Sequence, residues 1–144
     1  MQTFLPFPDF EKSAEVLDNK RLGKQRIEAL QLVKELLGLS WSKSIRNHPA
    51  CIMWQNNIHS LIDYGITMCN EWSLVRGFDD TVWGQLVGCL EKHKSNNKNK
   101  PSWFGNEDFH LSHKSNLLRK DYSFYSIFFG DLDPTLPYIW PGPG

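Results

Sequence analysis

Arg21, Lys24, Arg26 and Glu28 fall within eight residues of one another in the stretch DNKRLGKQRIEAL, residues 18–30. Three cations and one carboxylate at that spacing can do two kinds of chemistry on a helix. The cations can hold phosphates. The carboxylate set among them can move a proton or stabilise a developing positive charge. At about 100° per residue, Leu22, Ala29, Leu30, Val33, Leu36 and Leu37 share one apolar side. Arg26 falls inside that stripe, between Leu22 and Leu30, while Arg21, Gln25 and Glu28 line one shoulder with Lys24 just beyond. A guanidinium in an apolar stripe must meet an acceptor or open onto a cleft, because an unpaired buried charge is very costly. Two readings stand side by side. Either Arg26 pairs with a structural carboxylate such as Asp18 and the other charges form a solvated face, or the first two turns border an anion site and the rest of the helix builds core.

Other groups are less pointed. Glu107, His110 and His113 sit at i, i+3 and i+6, a poor match to the i, i+4 pairs that bind zinc, and no second ligand cluster accompanies them. No metal is expected, and no cofactor, since neither a Gly-rich phosphate loop nor a serine nucleophile motif is present. His48 precedes Pro49 at a helix start, where it either faces a ligand or caps a turn, and His59 reads as structural. Trp103 and Phe104, beside a Lys-rich stretch, either stack on a base or anchor a loop. Lys114, Arg119 and Lys120 make a basic helix end that either contacts phosphates or offsets the helix dipole.

The elements that must position these groups are helices. Asp9 caps FEKSAEVL, and Asp18 caps a helix from about Asn19 to Leu37 that stops at Gly38. Residues 39–48 read as a loop. Pro49 suits a first turn, and residues 50–77 read as one long helix, or two joined near Gln55–Asn57, ending at Gly77. Asp79 and Asp80 open TVWGQLVGCLEKH. Residues 94–102, KSNNKNKPS, read as a mobile linker, and residues 107–120 as a further helix. The first eight residues should be extended, and the aromatic, Pro-rich tail is too apolar to stay off the core. No alternating strand pattern is found. The predicted class is all-α: one domain over 1–144, a compact bundle of five or six helices.

With 144 residues the chain can bury a real core. No apolar run reaches a membrane-spanning length, and no signal peptide precedes the first helix, so a cytoplasmic site is expected. Three widely spaced cysteines, Cys51, Cys69 and Cys89, fit buried thiols better than a disulfide framework. The net charge is zero, but it alternates along the chain: positive over 1–47, negative over 48–91, positive over 92–120, negative over 121–144. If the two basic segments meet in space, they make a positive face on a neutral body.

MQTFLPFPDF, LDNKRLGKQRIEAL, RNHPACIMW, FHLSHKSNLLRKD and LPYIWP, in that order over nearly the whole chain, resemble the pyrimidine-dimer DNA glycosylase family of the phage endonuclease V type, in a branch carrying RLGKQR and RNHP. The resemblance implies a helical DNA repair enzyme, a monomer, in a bacterial or phage-infected cell and nucleoid-associated when bound to DNA. Its substrate would be double-stranded DNA with a damaged or modified pyrimidine. It implies a glycosylase with AP lyase activity, in which an N-terminal amine forms a Schiff base at C1′. An α-amine suits that step because its ordinary pKa, about 7.7–8.0, leaves a useful unprotonated fraction near neutrality. Carried over residue by residue, Met1 or Gln2 would supply the amine, with Lys20 and Lys24 the nearest substitutes. Glu28 would be the carboxylate, and Arg21, Lys24, Arg26, Arg46, His48 and Lys114 would hold DNA. The sequence departs from the family pattern in the bulky Gln2, where a small residue is usual, in the Arg26-Ile27-Glu28 spacing, and in an apparent insertion over 79–100. Two other readings remain: a non-catalytic DNA-binding protein of the same fold, and a nucleoside- or nucleotide-acting enzyme or protein-interaction module.

Overall fold

Asp9 and Asp18 begin the fold as the sequence predicts. The Asp9 carboxylate accepts from the Lys12 N–H and the Asp18 carboxylate from the Arg21 N–H, which starts α1 (Phe10–Val16) and α2 (Asn19–Leu36). The computed structural model describes all 144 residues, is 58% helix and has no strand. After α2 come α3 (Lys43–Arg46), α4 (Pro49–Ile52), α5 (Ile58–Asn70), a π-helical turn (Glu71–Val75), α6 (Trp83–Lys92), α7 (Glu107–Lys120) and α8 (Tyr122–Phe129).

Eight helices form where five or six were expected, because short ones sit in the connections. The stretch 39–48, read as a loop, contains α3, started by the Ser42 hydroxyl accepting from the Ile45 N–H. The apolar run 50–77 divides into α4, α5 and the π turn, with the break at 53–57. Residues 94–102 carry no helix. Asn97 Nδ2 donates to the Asn56 carbonyl at 2.9 Å, Asn57 Nδ2 donates to the Asn99 carbonyl at 3.1 Å, and Pro101 is buried.

α2 is the central helix and packs against α5, α6 and α3. Leu22, Ala29, Leu30 and Val33 are buried as the apolar stripe requires, and Leu32 on another side is buried too. Each buried Leu or Val of this kind contributes roughly 1.5–3 kcal/mol relative to exposure. Close approach of the helices depends on Gly65 of α5: a Cβ there would lie 2.8 Å from Leu86 Cδ1 and 3.1 Å from Ala29 Cβ. α2 ends where Gly38 turns into the left-handed region at φ 72°.

Encirclement buries polar side chains of α2 as well. Gln25, Arg26, Glu28 and Glu35 are all nearly inaccessible. Arg26 pairs with Asp80 and lies 4.4 Å from the Trp72 ring centroid. Arg21, 3.2 Å from Asp18, makes the contact that the sequence offered to Arg26. Asp80 also accepts the N–H groups of Val82 and Trp83, so one carboxylate starts α6 and neutralises the guanidinium.

Candidate active site

The first five residues have no helix to satisfy their backbone, yet Gln2 to Leu5 run through the interior. Side chains from three helices, α2, α5 and α7, and from the turn after α4 supply the missing partners. The Gln2 N–H donates to Glu28 Oε2 at 3.1 Å. The Thr3 hydroxyl accepts from the Trp54 indole at 3.0 Å. The Phe4 N–H donates to Gln25 Oε1 at 2.8 Å, and the Tyr64 hydroxyl lies 2.9 Å from the Phe4 carbonyl. Leu5 is held from both sides: its N–H donates to His113 Nδ1 at 2.9 Å, and His110 Nδ1 donates to its carbonyl at 2.7 Å. The His110 tautomer follows from the Gly105 N–H, which donates to Nε2 at 3.0 Å. Any one of these backbone groups left buried and unpaired would cost about 1–3 kcal/mol.

Burial pushes the His113 imidazole down to about 3, so it is neutral and its Nδ1 is free to accept. Glu107, His110 and His113 are therefore not a cluster around a common centre; the two histidines grip one peptide unit. Trp103 is likewise committed to the interior, its indole donating to the Met53 carbonyl at 2.9 Å. Phe104 packs edge-on against Phe10 and His110.

What the threaded segment delivers is Met1. It lies in a cleft of about 280 Å³ lined by Gln2, Phe4, Lys20, Arg21, Lys24, Gln25, Glu28, Lys120 and Tyr138. Glu28 is buried at its edge, with Lys24 Nζ 3.7 Å away and Gln25 Nε2 donating at 3.3 Å. Lys20 and Lys120 make no ion pair and are exposed. His48 stands close enough to feel both ends of this chemistry. Burial lowers its pKa most, the α-amine lowers it further and Glu28 works in the opposite sense. Its Nδ1 accepts from the Ala50 N–H at 3.0 Å, which leaves Nε2 outward. Trp140 meets the His48 ring edge-on, with centroids 5.7 Å apart, and Tyr138 lies 5.6 Å from Trp140.

Of the residues singled out from sequence, Met1, Gln2, Arg21, Lys24 and Glu28 line this cleft, and His48 stands beside it. Arg26 does not reach it, being turned to Asp80 and Trp72. Arg46 is turned to Glu35, donating to its backbone carbonyl at 2.8 Å. Lys114 lies over the Phe7 ring at 4.6 Å, in a separate hollow with Pro6 and Pro8. Gln25 and Tyr138 were missed. Lys20 was considered only as a substitute amine and Lys120 only as part of a basic helix end. The polar Gln25 on the inner shoulder of α2 was the one local signal.

A sequence model of the family described as pyrimidine dimer DNA glycosylase matches residues 1–82. The chain belongs to that family. The matched span holds Met1, Gln2 and Glu28, together with the Trp54 and Tyr64 that fix the first residues. Pyrimidine dimer DNA glycosylases act on DNA, so DNA repair and a DNA partner come with membership. His110, His113, Lys120 and Tyr138 complete the site from beyond the matched span. Neither a search of curated proteins nor one of solved structures returned a match.

Proposed function

We propose that this protein is a DNA glycosylase with AP lyase activity, excising a damaged or modified pyrimidine through a Schiff base on its N-terminal amine. The observation that carries this reading is the 3.1 Å contact between the first peptide nitrogen and the buried Glu28, at the edge of a cleft with four basic side chains. The amine attacks C1′ of the damaged nucleotide, and the base leaves with the electron pair of the glycosidic bond. Glu28 takes a proton from the attacking nitrogen and stabilises the positive charge that builds at C1′. The sugar ring then opens to an iminium. Loss of a C2′ proton with departure of the 3′ oxygen breaks the strand, and water releases the amine.

Lys20, Lys24 and Lys120 are suited to the flanking phosphates, beside Arg21, whose charge is shared with Asp18. A nucleotide must leave the stack to reach the cleft, and Trp140 and Tyr138 offer aromatic faces beside it. The amine is that of Met1, which lines the same cleft as Glu28, while the methionine is retained, and that of Gln2, whose nitrogen lies 3.1 Å from Glu28 Oε2, once it is cleaved.

Borohydride trapping on abasic DNA, followed by proteolysis and mass spectrometry, tests the proposal. The expected adduct lies on the first residue of the mature chain. An adduct on Lys20, Lys24 or Lys120, or none, would overturn it. Glu28→Gln is expected to bind DNA normally while losing base release and trapping. Undiminished cleavage by that variant removes Glu28 from the chemistry.

A further inference from the structure

Residues 92–100 read KHKSNNKNK, four lysines in nine residues, and lie outside the span that the family model matches. We infer that this segment is a second DNA-binding surface, contacting duplex phosphates at a distance from the cleft. The inference rests on the DNA-processing reading above. Lys92, Lys94 and Lys98 are exposed, and no carboxylate approaches any of the three within ion-pair distance. Glu91 is the one acid between residues 91 and 106. Lysines that only solubilise a surface need no bonded backbone, yet this segment is hydrogen-bonded to the body of the fold. Asn97 and Asn99 are bonded to Asn56 and Asn57, the Asn97 N–H donates to Ser95 Oγ at 3.1 Å, and the Asn99 N–H donates to Asn97 Oδ1 at 3.1 Å. Lys100 is anchored separately, 4.6 Å from the Phe10 ring centroid. Hydrogen bonds that tie a cationic loop down reduce the entropy it loses when it meets a phosphate.

Chain connectivity sets an upper limit on its distance from His48, which stands beside the cleft. The Asn56 side chain that neighbours the loop donates to the Gly144 carbonyl at 3.2 Å, and Trp140 lies against His48 beside Met1. Four Cα steps from Trp140 to Gly144 cover at most about 15 Å. Adding the side-chain contacts at each end puts the loop within about 25 Å of His48, which corresponds to roughly seven base pairs of duplex at 3.4 Å each. Lys100 is left out of this surface, because Asp9, Glu11 and Asp63 share its hollow. An adjoining hollow of about 190 Å³, lined by Glu11, Glu15 and Glu71 with the exposed Leu74 and Val75, is a poor surface for a polyanion.

The test compares the full-length protein with the triple variant Lys92→Gln, Lys94→Gln, Lys98→Gln on abasic duplexes with long arms, about 15 base pairs on each side of the lesion, and with short arms of about three. On long arms the variant is expected to bind more weakly, with a log–log salt slope shallower by about 0.9 for each phosphate no longer neutralised. On short arms variant and wild type are expected to bind equally. Equal affinity and equal slope on long arms, with borohydride trapping intact in both proteins, would overturn the second surface and leave the cleft standing. Failure of the wild type to bind or trap either duplex would overturn both. Equal melting temperatures confirm that the exposed substitutions leave the fold unchanged.

Discussion

Acid should loosen the segment that carries Met1 before it unfolds the rest, and His113 sets the window. Its neutral imidazole accepts from the Leu5 N–H, and burial holds its pKa at about 3, against an ordinary value of 6.5. A base with a depressed folded pKa contributes stability above the unfolded value and loses it as pH falls, because only the unfolded state takes up the proton. Between pH 7 and pH 5 the unfolded imidazole becomes almost wholly protonated and the folded one does not, which removes about 2 kcal/mol. His110, also lowered by burial, works in the same sense. Asp18 and Asp80 do not contribute in that window. Burial would raise their pKa values, but hydrogen bonds from Tyr125 and Arg21, and from the α6 backbone and Arg26, hold them below 3.8. Their losses come below about pH 4. Urea titrations at a series of pH values measure the slope. His113→Asn supplies the comparison: its side-chain oxygen can accept from Leu5 but does not titrate. The variant gives up packing against Phe4, Phe109 and Tyr138 and should be less stable throughout, by about 2–4 kcal/mol. Its loss between pH 7 and pH 5 should nonetheless be smaller than that of the wild type by about 2 kcal/mol. Parallel curves for the two proteins would refute the argument. So would an NMR titration of the His113 ring with a midpoint near its ordinary value.

Arg26→Ala leaves Asp80 half-enclosed without its cation and strips a stacked group from Trp72, so a loss of about 3–5 kcal/mol by urea unfolding is expected, with DNA affinity normal in the protein that remains folded. Lys20→Gln and Lys120→Gln should each flatten the log–log salt dependence of DNA binding by about 0.9 with no change in melting temperature, and a cumulative loss of stability would mean that these lysines serve the fold. Gln2→Ala makes the second residue small, so the methionine should be removed on expression and the amine should move back by one residue, about 3.8 Å. Intact-mass measurement and single-turnover kinetics then tell which position is productive: a faster reaction places the working amine at residue 2, a slower one at Met1.

The helices were legible because they are local. Asp9 and Asp18 as caps, Gly38 as a stop and the polar break before Ile58 are written in single residues and their immediate neighbours. The prominence of Glu28 was legible too, since a helical projection sets it on the same shoulder as Arg21 and Gln25. Partners across the fold were not. Periodicity says that Arg26 faces inward, but its acceptor lies 54 residues away, where Asp80 is readable as a helix start and not as a partner of α2. His110 and His113 were weighed only as metal ligands, a poor match at i, i+3 and i+6, because spacing along one helix cannot reveal a peptide unit 105 and 108 residues distant. The cleft has the same character: Lys120 and Tyr138 meet Lys20 and Met1 only after α7 and the tail have closed over α2.

The zero net charge conceals a division of labour between the two cationic side chains. All five arginines are engaged within the fold: Arg21 with Asp18, Arg26 with Asp80, Arg46 with Glu35, Arg76 with Glu71, and Arg119 with Asn116 and the Pro134 carbonyl. A planar guanidinium with five donors suits such sites, where it must satisfy a carboxylate and a carbonyl together. Each of those four carboxylates is consumed in cancelling an arginine. Of the eleven lysines, Lys24 alone stands in an ion pair, and that pair is with the proposed catalytic carboxylate. The charge left over for a polyanion is therefore carried by the lysines and by Arg119, which meets no carboxylate. This reverses the weight that the sequence gave to Arg26 and Arg46 as phosphate ligands, and it gives that weight to Lys20 and Lys120 in the cleft and to Lys92, Lys94 and Lys98 beyond it.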